Sequence, residues 1–199
     1  MQPGPYDDSE SQAKTNARIL NAAARLFYRK GIRAVSVDQV AAEASVTKVT
    51  VYKHYRTKDE LLARCLHALD ERFFGWFVGE VESRADDPYG RLLAVFDVID
   101  VWFRRRDFRG CAFINATVEL ADATHPAYEA VMAHKTRCRR YFRALAEEAG
   151  LDDPEAISDQ WMLLTEGATI TALVEGDLNA GRRARVGASA ILRGLRAAA

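Results

Sequence analysis

The chain has 199 residues, of which 49% are hydrophobic and 28% charged, and its formal net charge is zero. That length allows one sizeable core, or a small domain attached to a larger one, and the composition is that of an ordinary globular protein. No apolar run approaches the roughly 18 residues that cross a bilayer. The polar, acidic start MQPGPYDDSESQ has neither the basic nor the apolar region of a secretory leader, so a cytoplasmic chain without a membrane partner is expected. Cys65, Cys111 and Cys138 are too few and too irregularly spaced for a disulfide framework or a CxxC pair. They read as small buried hydrophobes; a redox-sensing thiol has only Arg137 and Arg139, flanking Cys138, in its favour.

Residues 1–10, with two prolines, a glycine and three acids, read as a disordered arm. From Gln12 the pattern turns helical, with Ile19, Leu20, Ala23, Ala24 and Phe27 on one stripe and Gly31 as the stop. Ser36 begins a short helix with apolar positions at Val37, Val40 and Ala41. Ala44-Ser45-Val46 makes a brief turn, and Thr47 caps a second short helix through Val51, Tyr52 and Tyr55. This is the order of a tri-helical helix-turn-helix.

A long helix follows, with Thr57 as its cap and Asp59-Glu60 in its first turn. Asp86-Asp87-Pro88 breaks it. The fifth helix carries Leu92, Phe96, Trp102 and Phe103 on its apolar side and ends at three arginines. The sixth, CAFINATVEL, is almost wholly apolar and is expected to be buried. The seventh starts at His125-Pro126 and runs to Gly150, the eighth opens at Asp152-Asp153-Pro154, and residues 183–197 form the last. No strand pattern occurs, so the expected fold is all-α with about nine helices.

Charge is unevenly spread. Residues 11–58 hold ten Lys or Arg against two acids, Asp38 and Glu43, a net charge of +8 on a chain that sums to zero. A basic segment joined to an acidic remainder is the footprint of a nucleic-acid-binding module. The histidines at 54, 67, 125 and 134 lack mutual spacing, and GxSxG, HExxH and P-loop motifs are absent, which argues against an enzyme. No cofactor is expected. Glu119, Asp122 and His125 have no second histidine at ligand spacing, so no metal site is expected either.

The run RILNAAARLFYRKGIRAVSVDQVAAEASVTKVTVYKHYRTKDELL resembles the DNA-binding domain of the TetR/AcrR transcription regulators. The likeness lies in a first helix IL-x-AA-x-x-LF-x-x-x-G, a second V-x-x-[IV]A-x-x-A-x-V, and a block T-VY-x-HY-x-x-K-x-EL. Gly110 to Ala116 further resembles a GC-x-F-x-N segment of one subset. Val49 stands where the family often has glycine, and Tyr55 where it usually has phenylalanine.

The resemblance implies a helix-turn-helix domain at 11–58 and a ligand-binding and dimerisation domain at 59–199. It also implies a homodimer, paired through the last two helices, on palindromic double-stranded operator DNA. Helical spacing turns Val51 and Tyr55 inward on the recognition helix and Thr47, Lys48, Thr50, Lys53 and His54 outward. Specificity is expected from Lys48, Val49, Tyr52 and His54, and phosphate contacts from Ser36, Thr47, Thr50, Lys53 and Lys58, with Lys14 or Arg18 in support. Helices four to eight would surround a small apolar or amphipathic effector. Its expected lining is Phe73, Phe77, Phe96, Trp102, Phe103, Phe113 and Trp161, with Asn115, Glu119, Glu166 and Thr169 as polar groups. The alternation of bulky and small residues at Trp161, Leu164, Gly167-Ala168 and Thr171-Ala172, and Ala188, Ile191, Leu192 and Leu195, is expected at the dimer face. A DNA-binding regulator with no effector is the alternative.

Overall fold

The computed structural model describes residues 7–198, and among them nine helices follow one another with no strand. They are α1 (Asp7–Lys30), α2 (Val37–Glu43), α3 (Lys48–His54), α4 (Lys58–Glu82), α5 (Pro88–Phe103), α6 (Ala112–Leu120), α7 (Ala127–Glu148), α8 (Pro154–Glu175) and α9 (Ala180–Ala198). The all-α expectation holds.

Helix α1 begins at Asp7 rather than Gln12, so residues 7–10 of the expected disordered arm are helical; residues 1–6 lie outside the described ones. Sequence-legible caps set most other boundaries. Ser36 and Gln39 form a reciprocal capping box at α2. Thr47 at α3, Asp87 at α5 and Asp153 at α8 each accept from a backbone N–H three residues on. Pro88 and Pro154 follow their caps, where the missing N–H costs nothing.

The turn between α2 and α3 closes with Val46 N–H on the Ala41 carbonyl and Ser45 N–H on that of Ala42, at 3.0 and 3.1 Å. That pattern requires a left-handed residue, and Ser45 takes it, with φ +54° where glycine would be the easier occupant.

The chain forms two compact units. One runs through Glu71 and includes Ala112–Val131; the other comprises Arg72–Cys111 and the chain from Met132 onward. Helix α6 therefore groups with the N-terminal helices. Its expected full burial is not found. Phe113 and Ala116 are buried, whereas Thr117 faces water and Val118 is 73% exposed, so α6 lies on a surface with one face inward.

In the second unit α5 is the central helix, with α8 and α9 packed on it and on each other. Val95, Phe96, Trp161, Ala188 and Leu192 are wholly or almost wholly buried. Of the small residues expected at a dimer face, Ala168, Ala172 and Ala188 are buried within one chain, whereas Gly167 is exposed. The side chain of Leu195 lies outside the described residues. Gly181, second in α9, comes so close to α5 that an added Cβ would sit 2.9 Å from both the Phe96 carbonyl oxygen and the Asp100 Cβ. Gly181→Ala is expected to cost about 1–3 kcal/mol by overpacking. The melting temperature by circular dichroism should fall by several degrees; a rise, from improved helix propensity, would show that this approach is not tight.

Candidate nucleic-acid interface and aromatic core

Helix α3 presents its side chains as its 3.6-residue period dictates. Val51 is 1% and Tyr55 4% exposed, whereas Val49 is 64% and Tyr52 44% exposed. Thr47, Lys48 and Lys53 are exposed, and Thr50 and His54 are half-buried. Two large exposed apolar groups on a seven-residue helix gain nothing from water, but each suits contact with a thymine methyl.

The Thr47 and Thr50 hydroxyls lie 2.8 Å apart, and Thr47 also accepts from Thr50 N–H. Lys48 Nζ donates to Asp38 of α2 at 2.8 Å. That hydrogen bond and the charge of Asp38 raise the Lys48 pKa, so its cation is secure. Glu43, the other acid of the basic segment, accepts from Arg25 at 3.0 Å. Both pairs are exposed and screened by water, so a phosphate can displace them.

Two residues expected at phosphates also have partners within their own unit. The Lys58 ammonium donates to the Ile32 carbonyl at 2.6 Å and lies 5.9 Å from the Phe27 ring centroid, directed into its own unit. Ser36 is committed to its capping box: its hydroxyl oxygen accepts from Gln39 N–H and its own N–H is taken by Gln39 Oε1. Lys14 and Arg18 are exposed on α1. Tyr55, in place of phenylalanine, donates its hydroxyl to Asn16 of α1, and burial pushes its pKa up to about 12.

The effector candidates fall into both units. Phe73, Phe77, Phe96, Trp102, Phe103, Trp161, Glu166 and Thr169 belong to the second, and Phe113, Asn115 and Glu119 to the first. Phe73 is a hub: it stacks on Phe77 at 5.9 Å and meets Trp102 edge-on at 5.2 Å. Trp102 continues to Phe103 and Phe108. Phe96 and Trp161 form a separate, fully buried pair, with the indole N–H donating to the Leu92 carbonyl at 2.8 Å. Three polar candidates have internal partners. Glu166 accepts from Lys135 at 2.7 Å, Thr169 donates to the Thr165 carbonyl, and Glu119 accepts from Ile32 and Arg33 N–H.

His134 and Tyr141 join this aromatic group and were not anticipated. His134 is 5% exposed and edge-on to Phe73, with Cys138 Sγ 3.7 Å from its Nε2. Tyr141 packs edge-on to Phe74 and Phe77. The signal was present: 134, 138 and 141 share one face of α7. Cys65 is buried and Cys111 and Cys138 are half-buried. No helix among the described residues is long and apolar enough to cross a membrane.

Residues 19–65 match the family described as bacterial regulatory proteins, tetR family, and residues 88–188, half of the chain, match the Tetracyclin repressor-like C-terminal domain. The chain belongs to the TetR family. A TetR-family transcriptional regulator from Streptomyces coelicolor, SCO4454, superposes with a TM-score of 0.83 at 30% identity, covering 92% of this chain and 96% of its own. The HTH-type transcriptional repressor Rv3405c of Mycobacterium tuberculosis is 33% identical over 119 residues, 57% of this chain and 60% of its own length. The chain thus spans under two thirds of the length of that mycobacterial relative. A TetR regulator from Chloroflexus aurantiacus, at 19% identity and TM-score 0.81, shares the fold. Helices α2 and α3 of this TetR-family chain lie within the stretch that the tetR regulatory-protein model covers, as its helix-turn-helix.

Proposed function

We propose that this chain is a homodimeric, effector-responsive repressor that reads a palindromic operator through α3 and is released by a small apolar or amphipathic molecule. The exposed face of α3 carries the proposal. Lys48, Val49, Tyr52 and Lys53 offer a cation, a methyl surface, a phenol and a second cation over two turns, a set suited to base edges and phosphates in a major groove. Repression is favoured by the mycobacterial relative named as a repressor.

A dimer is favoured by an apolar stripe that one chain leaves in water. Leu163 (66%), Ile170 (40%) and Val174 (76%) follow each other at helical spacing on α8, and Val186 (65%) is exposed on α9. Two copies related by a two-fold axis would cover this stripe and bring two α3 helices to one duplex. The aromatic group around Phe73, with His134 at its edge, supports an apolar effector. One observation favours the effector-free alternative: Glu119, Glu166 and Thr169 already have partners.

Selection from a random-sequence duplex pool by the full chain tests the DNA reading, with an enriched inverted repeat expected and no enrichment opposing it. Lys48→Ala should weaken the selected duplex about tenfold and reduce the salt slope by about one, read by fluorescence anisotropy. An unchanged affinity and slope would remove Lys48 from the interface. For the effector, planar aromatic compounds screened by thermal shift supply the probe. A true effector binds the free protein more tightly than the DNA-bound protein, by the factor with which it weakens DNA binding. Equal affinities would favour the alternative.

A further inference from the structure

The α1–α2 turn opens at Gly31, whose φ of +91° aims the next backbone N–H groups outward from the helix end. Glu119, eighty-seven residues beyond Ile32 and in the last turn of α6, fills that opening. One carboxylate oxygen, Oε2, accepts from Ile32 N–H at 2.6 Å and from Arg33 N–H at 3.2 Å. The fit is close: a Cβ on Gly31 would lie 3.1 Å from the same oxygen. The carbonyl of Ile32 is held from the other direction by the Lys58 ammonium at the start of α4. The peptide groups that launch α2 are therefore gripped between an anion from α6 and a cation from α4, all within one compact unit.

We infer that Glu119 is a positioning residue for the helix-turn-helix, fixing the α1–α2 turn and through it the angle at which α2 and α3 are presented. The inference rests on the DNA-binding reading above. Charge-assisted bonds from a carboxylate to two backbone N–H groups are strong and directional. Since α6 follows directly on the second unit at Cys111, any displacement of α6 draws on Glu119 and is felt at Ile32.

The test uses the full chain and the duplex it selects from the random pool. Glu119→Ala should bind that duplex about tenfold more weakly with an unchanged salt slope, because Glu119 contacts no phosphate. Glu119→Gln, whose carboxamide oxygen still accepts, should recover affinity to within about threefold. Hydrogen exchange at the amides of Ile32 and Arg33 should accelerate at least tenfold in the alanine variant and little in the glutamine one. If the alanine variant loses its helical circular dichroism, Glu119→Asp, which keeps the charge but draws it back from the turn, takes its place. Wild-type affinity in a folded Glu119→Ala or Glu119→Asp protein overturns the positioning role, as does unchanged exchange at both amides. If the wild-type chain selects no duplex, the DNA reading fails, while the exchange rates still decide whether Glu119 holds the turn.

Discussion

Trp161→Ala is expected to lower the stability of the chain by about 3–5 kcal/mol, read from urea denaturation followed by circular dichroism. Trp161 is fully buried, packs on Phe96 at 5.7 Å, and ties α8 to α5 through the 2.8 Å bond from its indole N–H to the Leu92 carbonyl. Alanine leaves a large cavity and also removes the indole bond that joins α8 to the Leu92 carbonyl. Trp161→Phe keeps most of the volume and should cost only about 1–3 kcal/mol. These outcomes distinguish a core role from the effector-lining role expected of Trp161 from sequence. A pocket wall tolerates truncation better than a filled core, so a loss below 1 kcal/mol in the alanine variant would return Trp161 to the pocket.

Charging the exposed stripe of α8 should have the largest effect on DNA binding. Leu163→Glu combined with Val174→Glu replaces two side chains that are 66% and 76% exposed in a single chain, so the isolated fold has little to lose. Across a two-fold interface the same change buries four uncompensated carboxylates. The double variant is expected to sediment as a monomer at micromolar concentration and to bind the selected duplex at least 100-fold more weakly, since linked binding of two half-sites gains a factor of about 10²–10⁴. A double variant that keeps the dimer mass would move the interface elsewhere.

Where local chemistry decides, the structure was legible in the sequence. The caps at Ser36, Thr47, Asp87 and Asp153 and the inward pair Val51 and Tyr55 all follow from neighbours within four residues. The departures have long-range causes. Helix α6 is apolar enough to read as buried, yet Val118 faces water, because burial depends on what packs beside a helix and not on its composition. Small residues on α8 and α9 signal a close helix approach but not which approach; Ala168, Ala172 and Ala188 serve the intrachain one.

The partners of several polar residues also have long-range causes. Glu119 stood out because an acid on an apolar helix needs a partner, and its partners are Ile32 and Arg33 N–H, beyond the reach of any spacing rule. Lys58 and Tyr55 likewise find the Ile32 carbonyl and Asn16. By contrast, the outward residues of α3 stand where helical period alone put them, because a short surface helix has few neighbours to rearrange it.

The central claim is that two α3 helices lie in successive major grooves of a symmetric duplex. Dimethyl sulfate protection on the selected duplex tests it most directly, since guanine N7 faces the major groove and adenine N3 the minor. Guanine N7 protection is expected in two half-sites related by a two-fold axis, their centres about 34–36 Å apart, with protection weakened by Lys48→Ala. Protection confined to adenine N3, or to one unsymmetrical segment, would contradict it.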